Sequence, residues 1–117
     1  MSLKLIIGNK NYSSWSLRPW IAMRQAGLAF EEEVIPLYEP GSAERMAKYS
    51  PTGKVPVLVD GEMVIWESLA ILDHLSDRFP KQHWWPSEAL ARAHARAVSA
   101  EMHAGFVPLR RHCPMNM

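Results

Sequence analysis

The chain has 117 residues, 48% hydrophobic and 21% charged, which is ordinary for one globular domain or for one domain with a fragment of a second. Its 13 basic and 12 acidic side chains give a formal net charge of +1, so nucleic acid and anionic membranes are not expected as partners. No apolar stretch approaches the ~20 residues that span a bilayer. The single cysteine, Cys113, excludes an internal disulfide and fits a cytoplasmic location.

The first half of the chain predicts a strand, a helix and a second strand. Short apolar runs bounded by turn residues are typical of buried strands, and apolar residues spaced by three and four predict a helix. Ser14 or Ser16 is the expected N-cap of that helix, and Pro19 fits its first turn. Gly27 should end it. The three elements are expected at residues 3–7, 17–26 and 30–35.

The second half predicts a short helix, a hairpin and an amphipathic helix. Asp60-Gly61 separates two apolar runs and favours the positive φ angles of a two-residue hairpin turn. Leu72, Leu75 and Phe79 recur at spacings of three and four, which predicts one apolar helix face. The elements are expected at residues 41–48, 57–59, 63–66 and 68–79.

This order of elements, βαβ followed by αββα, predicts an α/β fold of the thioredoxin-like kind. A four-stranded mixed sheet should lie between helices, within a domain of residues 1–82.

A further helix is expected to follow this domain, from an N-cap at Ser87 to about residue 104. Gly105 and Pro108 should end or kink it, and no second helix is expected after them. One helix cannot bury its apolar stripe alone. Residues 87–117 are therefore predicted to begin an all-helical domain that is incomplete here, which would make the chain the front part of a larger protein.

Three segments are similar to motifs of the glutathione S-transferase superfamily. Residues 13–18, Ser-Ser-Trp-Ser-Leu-Arg, resemble the Ser-Ser-Cys-Ser motif of the zeta class. Residues 50–58 are similar to its Asn-Pro-x-Gly-x-Val-Pro segment, and residues 67–71 to its Glu-Ser-x-Ala-Ile segment. The chain thus resembles this superfamily over nearly all its length. Trp15 replaces the cysteine of the zeta motif, so a thiol role at that position is lost.

The resemblance implies a glutathione-binding domain that acts with an electrophilic small molecule as second substrate, and a homodimer when the protein is full length. A metal site is not expected in a chain with one cysteine and no tight cluster of histidine and aspartate. His94, His103 and His112 lie nine residues apart, which puts neighbours on opposite faces of a helix, so a metal site is not expected from them either.

Ser13 and Ser14 are the candidate catalytic residues, as hydrogen-bond donors to the glutathione sulfur. A hydrogen bond to sulfur near a helix N-terminus favours the thiolate, which is the nucleophile. The zeta motif favours Ser13, whereas spacing back from Arg18 favours Ser14, and both remain candidates. Simple capping of the helix is the alternative for serines at this place.

Trp15 is a candidate for the pocket wall. Four further tryptophans are expected to pack rather than to serve as ligand platforms: Trp20, Trp66, Trp84 and Trp85.

Lys54, Val55 and Pro56 are candidate binding residues. The resemblance implies a cis peptide bond at Val55-Pro56. Proline at a strand edge leaves the Val55 backbone groups available to pair with the ligand's cysteinyl backbone, as an added strand would. The alternative is a strand that begins at Pro56. Lys54 can contact the glycyl carboxylate, unless it is simply a solvated lysine.

Glu67 and Ser68 are the candidate residues for the γ-glutamyl end of glutathione. Ser68 offers a hydroxyl and an N–H to the α-carboxylate at a helix start, and Glu67 can pair with the ammonium group. Ordinary helix capping is the alternative.

The predicted activity is that of a glutathione S-transferase, with weak or no turnover by this chain alone. A glutathione-dependent cis-trans isomerase of the zeta type and a non-catalytic interaction module are the alternatives. Retention of all three motifs favours an enzyme. A glutaredoxin-like redox role is disfavoured because no cysteine lies near the first helix.

Overall fold

A four-stranded mixed sheet forms the centre of the computed structural model, which describes residues 3–9, 13–36, 39–82 and 84–113. The strand order is β2-β1-β3-β4; β1 is parallel to β2 and antiparallel to β3, and β3 is antiparallel to β4. This confirms the predicted thioredoxin-like arrangement. The strands are β1 (Leu3–Ile7), β2 (Glu31–Val34), β3 (Val57–Asp60) and β4 (Met63–Trp66).

Within the described ranges, five helices and one short 3-10 turn accompany the sheet. The 3-10 turn is Pro80–Gln82. The helices are α1 (Ser14–Gln25), α2 (Ser42–Ala47), α3 (Ser68–Arg78), α4 (Ala89–Ala104) and α5 (Val107–His112). No helix among the described residues is long and apolar enough to span a membrane.

The core lies on both faces of β1, because successive strand side chains point to opposite sides. Leu5 and Ile7 pack with Leu75 of α3 on one face, and Ile6 packs with Val57 on the other. These side chains are fully or almost fully buried, and each such burial stabilises the fold by about 1.5–3 kcal/mol. Packing of α3 against the sheet fixes where the loop before β3 and the first turn of α3 lie.

The hairpin turn differs from its prediction by one residue. Asp60 is the last residue of β3 and pairs with Met63, so the two-residue loop is Gly61-Glu62 and not Asp60-Gly61. Gly61 takes the positive φ of 62° that the turn requires. The Asp60 side chain is thereby left inside the fold, where it is 1% exposed.

Helix α1 begins three residues earlier than the apolar spacing predicts, and the prediction of its N-cap is wrong. Ser13 is the N-cap, and its Oγ accepts from the backbone N–H of Ser16 at 3.2 Å. Ser16 instead accepts from the N–H of Gly8 at 3.1 Å and ties the helix to the end of β1. Pro19 consequently lies in the second turn and not in the first.

The C-terminal part also corrects two predictions. Glu88, not Ser87, caps α4, because its carboxylate accepts from the N–H groups of Leu90 and Ala91 at 3.0 and 2.7 Å. A second helix, α5, follows Gly105, where none was expected. Helix α4 packs against α3 but has no buried residue. The assignment of residues 87–117 to a second domain stays a prediction.

Candidate functional site

A cavity of about 200 Å³ opens between the first turn of α1, the loop before β3, the end of β4 and the start of α3. Six of the eight predicted site residues meet there, and Ser13 and Ser14 lie beside them at the start of α1. The described residues that line it are Trp15, Thr52, Lys54, Val55, Pro56, Trp66, Glu67 and Ser68.

Val55 and Pro56 form the wall next to the sheet. Their peptide bond is cis, and β3 begins only at Val57. Val55 therefore lies outside the strand ladder, and its backbone N–H and C=O have no hydrogen-bond partner among the described residues. An extended ligand backbone can pair with these two groups as an added strand.

Glu67 and Ser68 form the opposite wall at the start of α3. Glu67 has a φ of 73°, a conformation that costs a residue other than glycine about 1–3 kcal/mol and is concentrated at functional sites. Its carboxylate makes no capping bond, so the ordinary capping interpretation does not describe it. Ser68 is 1% exposed and begins α3, where backbone N–H groups lack intrahelical partners.

The two candidate serines are in different situations. The hydroxyl of Ser13 accepts from Ser16 N–H and donates to Ser16 Oγ at 2.8 Å, so it serves the helix cap. Ser14 is half-buried in the first turn of α1, and its hydroxyl has no hydrogen-bond partner among the described residues. Of these two serines, Ser14 is therefore the one whose hydroxyl is not engaged within the described part of the chain.

Trp15 reaches the cavity from α1, and two guanidinium groups lie against its ring. The guanidinium carbons of Arg18 and Arg110 lie 4.1 and 4.4 Å from its ring centroid. Burial lowers the pKa of Arg18, and repulsion from Arg110 lowers it further. Such stacking fixes the indole plane.

Lys54 lies at the exposed end of the cavity. Its backbone N–H donates to Ser50 Oγ at 3.1 Å, which orders the loop. The ammonium group has no ion-pair partner within the described part of the chain, so it can meet a ligand carboxylate.

The glutathione S-transferase N-terminal domain family model matches residues 12–78, which is more than half of the chain. The chain belongs to the glutathione S-transferase superfamily. The predicted family and fold are therefore confirmed.

Two solved glutathione S-transferase structures have a similar fold. One is unclassified glutathione S-transferase 2 from Bombyx mori, with a TM-score of 0.82 and 30% identity, over 97% of this chain and 53% of that one. The other is a homologue from Burkholderia solved with bound glutathione, with a TM-score of 0.79 and 25% identity, over 95% of this chain and 59% of that one.

Among curated relatives, a probable maleylacetoacetate isomerase from Caenorhabditis elegans is 34% identical over 97 residues, which are 83% of this chain and 45% of that protein. The chain spans about half or less of the length of the curated relatives that it matches.

Three residues in or beside this candidate site were not predicted as site residues. Thr52 and Trp66 line the cavity, although Trp66 was expected to serve packing. Trp66 directly precedes the predicted Glu67, and Thr52 lies two residues before the predicted Lys54, so both lie in segments that the sequence singles out. His103 contacts Glu67 and Ser68 from α4, and no local pattern in the sequence connects it to them. No group of three or more potential metal ligands occurs among the described residues.

Proposed function

We propose that the chain binds reduced glutathione in this cavity and that, in a complete protein, the site activates its thiol for attack on an electrophilic small molecule. The observation that carries the proposal is the meeting of three groups in one cavity: the unpaired Val55 backbone, the Glu67 carboxylate and the buried start of α3 at Ser68. Together they match the cysteinyl backbone, the ammonium and the α-carboxylate of the tripeptide.

Each contact has a separate role. Val55 pairs with the cysteinyl backbone, Lys54 meets the glycyl carboxylate, and Pro56 and Trp15 form the walls. Glu67 pairs with the ligand's ammonium group, while Ser68 donates its N–H and hydroxyl to the α-carboxylate. These contacts fix the position of the cysteinyl sulfur near the start of α1.

Ser14 is the proposed donor to that sulfur. A free thiol has a pKa of ~8.5, and a hydrogen bond to the thiolate together with the helix dipole of α1 lowers it. The sulfur lone pair then forms a carbon–sulfur bond with the electrophile. The leaving group departs with its bonding electrons, while the thiol proton passes to solvent.

The zeta-type isomerase is the second candidate, supported by the curated relative that bears the name maleylacetoacetate isomerase. In that case the thiolate adds to a conjugated double bond, rotation follows, and elimination returns glutathione unchanged. The second substrate, a homodimer, a cytoplasmic location and the role of residues 87–117 as the start of a helical domain belong to the same proposal.

Titration calorimetry of the chain with millimolar reduced glutathione tests the proposal. We expect saturable binding that Glu67→Gln weakens and that Glu101→Gln, which alters an exposed carboxylate on α4, leaves unchanged. An absence of heat, together with no retention on immobilised glutathione, would refute it. A binding-only module would bind glutathione without any change in the pKa of its thiol.

A further inference from the structure

A histidine on α4 touches both residues at the start of α3. Nε2 of His103 lies 3.0 Å from Oε2 of Glu67, and Nδ1 lies 3.4 Å from Oγ of Ser68. We propose that His103 is a positioning residue that holds Glu67, next to Ser68, in the geometry that binds the γ-glutamyl end of glutathione. This inference rests on the proposed function and adds to the site a residue from outside the N-terminal domain.

The two hydrogen bonds together assign the protons of the imidazole ring. A carboxylate only accepts hydrogen bonds, so Nε2 carries the proton that Glu67 receives. In the neutral imidazole, Nδ1 then accepts from the Ser68 hydroxyl. The bond to Ser68 is long, so this hydroxyl can turn towards a ligand carboxylate with little loss.

Glu67 keeps one oxygen for the ligand while His103 holds the other. No contact within the described part of the chain engages Oε1 of Glu67. The side chain of Glu67 is 56% exposed, whereas that of His103 is only 21% exposed. Ordering an exposed glutamate on binding reduces affinity, so a carboxylate already held by a half-buried histidine avoids that loss.

His103 is itself fixed by two contacts from the other side. Its ring meets the Trp15 ring edge-on, with centroids 4.8 Å apart and an interplanar angle of 75°. Its backbone carbonyl accepts from the guanidinium of Arg110 at 3.4 Å. The position of the imidazole therefore depends on α1, α4 and α5 together.

His103 acts through its neighbours and does not line the proposed glutathione cavity. It borders two adjoining cavities, one with Ser68 and the other with Glu67. A loss of His103 should therefore affect only ligands that use Glu67 and Ser68. The dipeptide cysteinylglycine lacks the γ-glutamyl residue and can reach only Val55, Lys54 and the start of α1.

The test compares His103→Ala, His103→Gln and the matched control His94→Ala, an exposed histidine on the same helix. Each variant is titrated with reduced glutathione and with cysteinylglycine. We expect His103→Ala to weaken glutathione binding about fivefold to tenfold and to leave cysteinylglycine binding unchanged. His103→Gln should recover part of the loss, because its amide N–H can donate to Glu67. His94→Ala should change neither affinity.

An equal loss for both ligands would show a general effect on helix docking and would overturn the role of His103. Glutathione binding that survives His103→Ala unchanged would also overturn it, while the proposed function stands. No binding of glutathione by the unsubstituted chain would refute the proposed function itself.

A measurement without ligand tests the contact between His103 and Glu67 directly. The ring resonances of His103 should shift in Glu67→Gln, and those of His94 should not. Unchanged His103 resonances would overturn the inference irrespective of any glutathione binding.

Discussion

The hydroxyl of Ser13 donates to Oγ of Ser16 at 2.8 Å, so its proton is already used within the fold. Ser14, the next residue, makes no such bond among the described residues. The sequence left these two serines as equal candidates. The geometry assigns the helix cap to Ser13, and Ser14 stays the proposed donor to the glutathione sulfur.

Replacement of Ser14 should therefore affect the glutathione thiol, whereas replacement of Ser13 should affect the stability of the fold. Ser14→Ala should raise the pKa of the bound glutathione thiol towards ~8.5, with little change in stability, because it removes only a donor to the sulfur. Ser13→Ala should lower the free energy of unfolding by about 1 kcal/mol, the usual loss for an N-cap serine. Ultraviolet absorbance of the thiolate and thermal unfolding measure the two effects. A raised thiol pKa in Ser13→Ala alone would reverse the assignment.

Ser68→Ala should weaken glutathione binding by about 1–3 kcal/mol, because it removes a hydrogen bond to a charged carboxylate from a buried position. Calorimetry measures the change. Ser76→Ala is the matched control on α3, since that hydroxyl donates to the Asp73 carbonyl at 2.6 Å and lies away from the cavity. Equal affinities of Ser68→Ala and the unsubstituted chain would remove Ser68 from the proposed site.

Lys54→Met should weaken glutathione binding about twofold to fivefold, in keeping with the small contribution of an exposed ion pair. The affinity of the unsubstituted chain should also fall as salt is added, and that dependence should be smaller in Lys54→Met. Lys48→Met, an exposed lysine at the end of α2, is the control. If both variants show the same salt dependence, Lys54 has no special role in binding.

A buried ion-pair cluster joins the hairpin to α3. Oδ2 of Asp60 accepts from Nε2 of His74 at 2.9 Å and from Nε of Arg78 at 3.0 Å. Burial favours the neutral acid, but these two hydrogen bonds outweigh it and hold the pKa of Asp60 below its usual range. The cluster fixes the hairpin relative to the helix whose first residue lies in the proposed site.

Asp60→Asn should lower the free energy of unfolding by about 2–3 kcal/mol at neutral pH. An unfolded aspartate titrates near ~3.9, and the pKa of Asp60 in the folded chain is lower. The stabilisation by Asp60 is thus complete above the pKa of the unfolded state, and it is lost as the pH falls through the lower pKa of the folded state.

Thermal unfolding measured from neutral to acid pH tests this prediction. The stability difference between the unsubstituted chain and Asp60→Asn should shrink as the solution becomes acid. Asp77→Asn, an exposed aspartate on α3, should show no such convergence. A difference that stays constant with pH would contradict the assigned role of Asp60.

Local patterns predicted the fold, and the resemblance to family motifs predicted most of the candidate site. The apolar runs and helical spacings fix the strand and helix order, and the residues of the cavity lie in short segments that the sequence shows directly. The role of Ser13 as the N-cap was not predicted, because several neighbouring serines can cap one helix and only three-dimensional distances decide between them. The pairing of Asp60 with α3 was not predicted, because the sequence does not show whether the aspartate of an Asp-Gly pair belongs to the turn or ends the strand.

The role of His103 was missed for a different reason. It reaches Glu67 and Ser68 from a helix 36 and 35 residues further along the chain. Such a contact depends on how α4 packs against α3, and the spacing of apolar residues does not predict the relative position of two helices. The same holds for Arg110, which meets Trp15 from α5, a helix that the sequence did not predict.

The most direct test of glutathione binding at this site is a titration of the isotopically labelled chain with reduced glutathione, followed by backbone amide resonances. We predict saturable shifts at Val55, Glu67 and Ser68, with none at the remote Gly61 turn. An absence of shifts, or shifts confined to residues outside the cavity, would contradict the account.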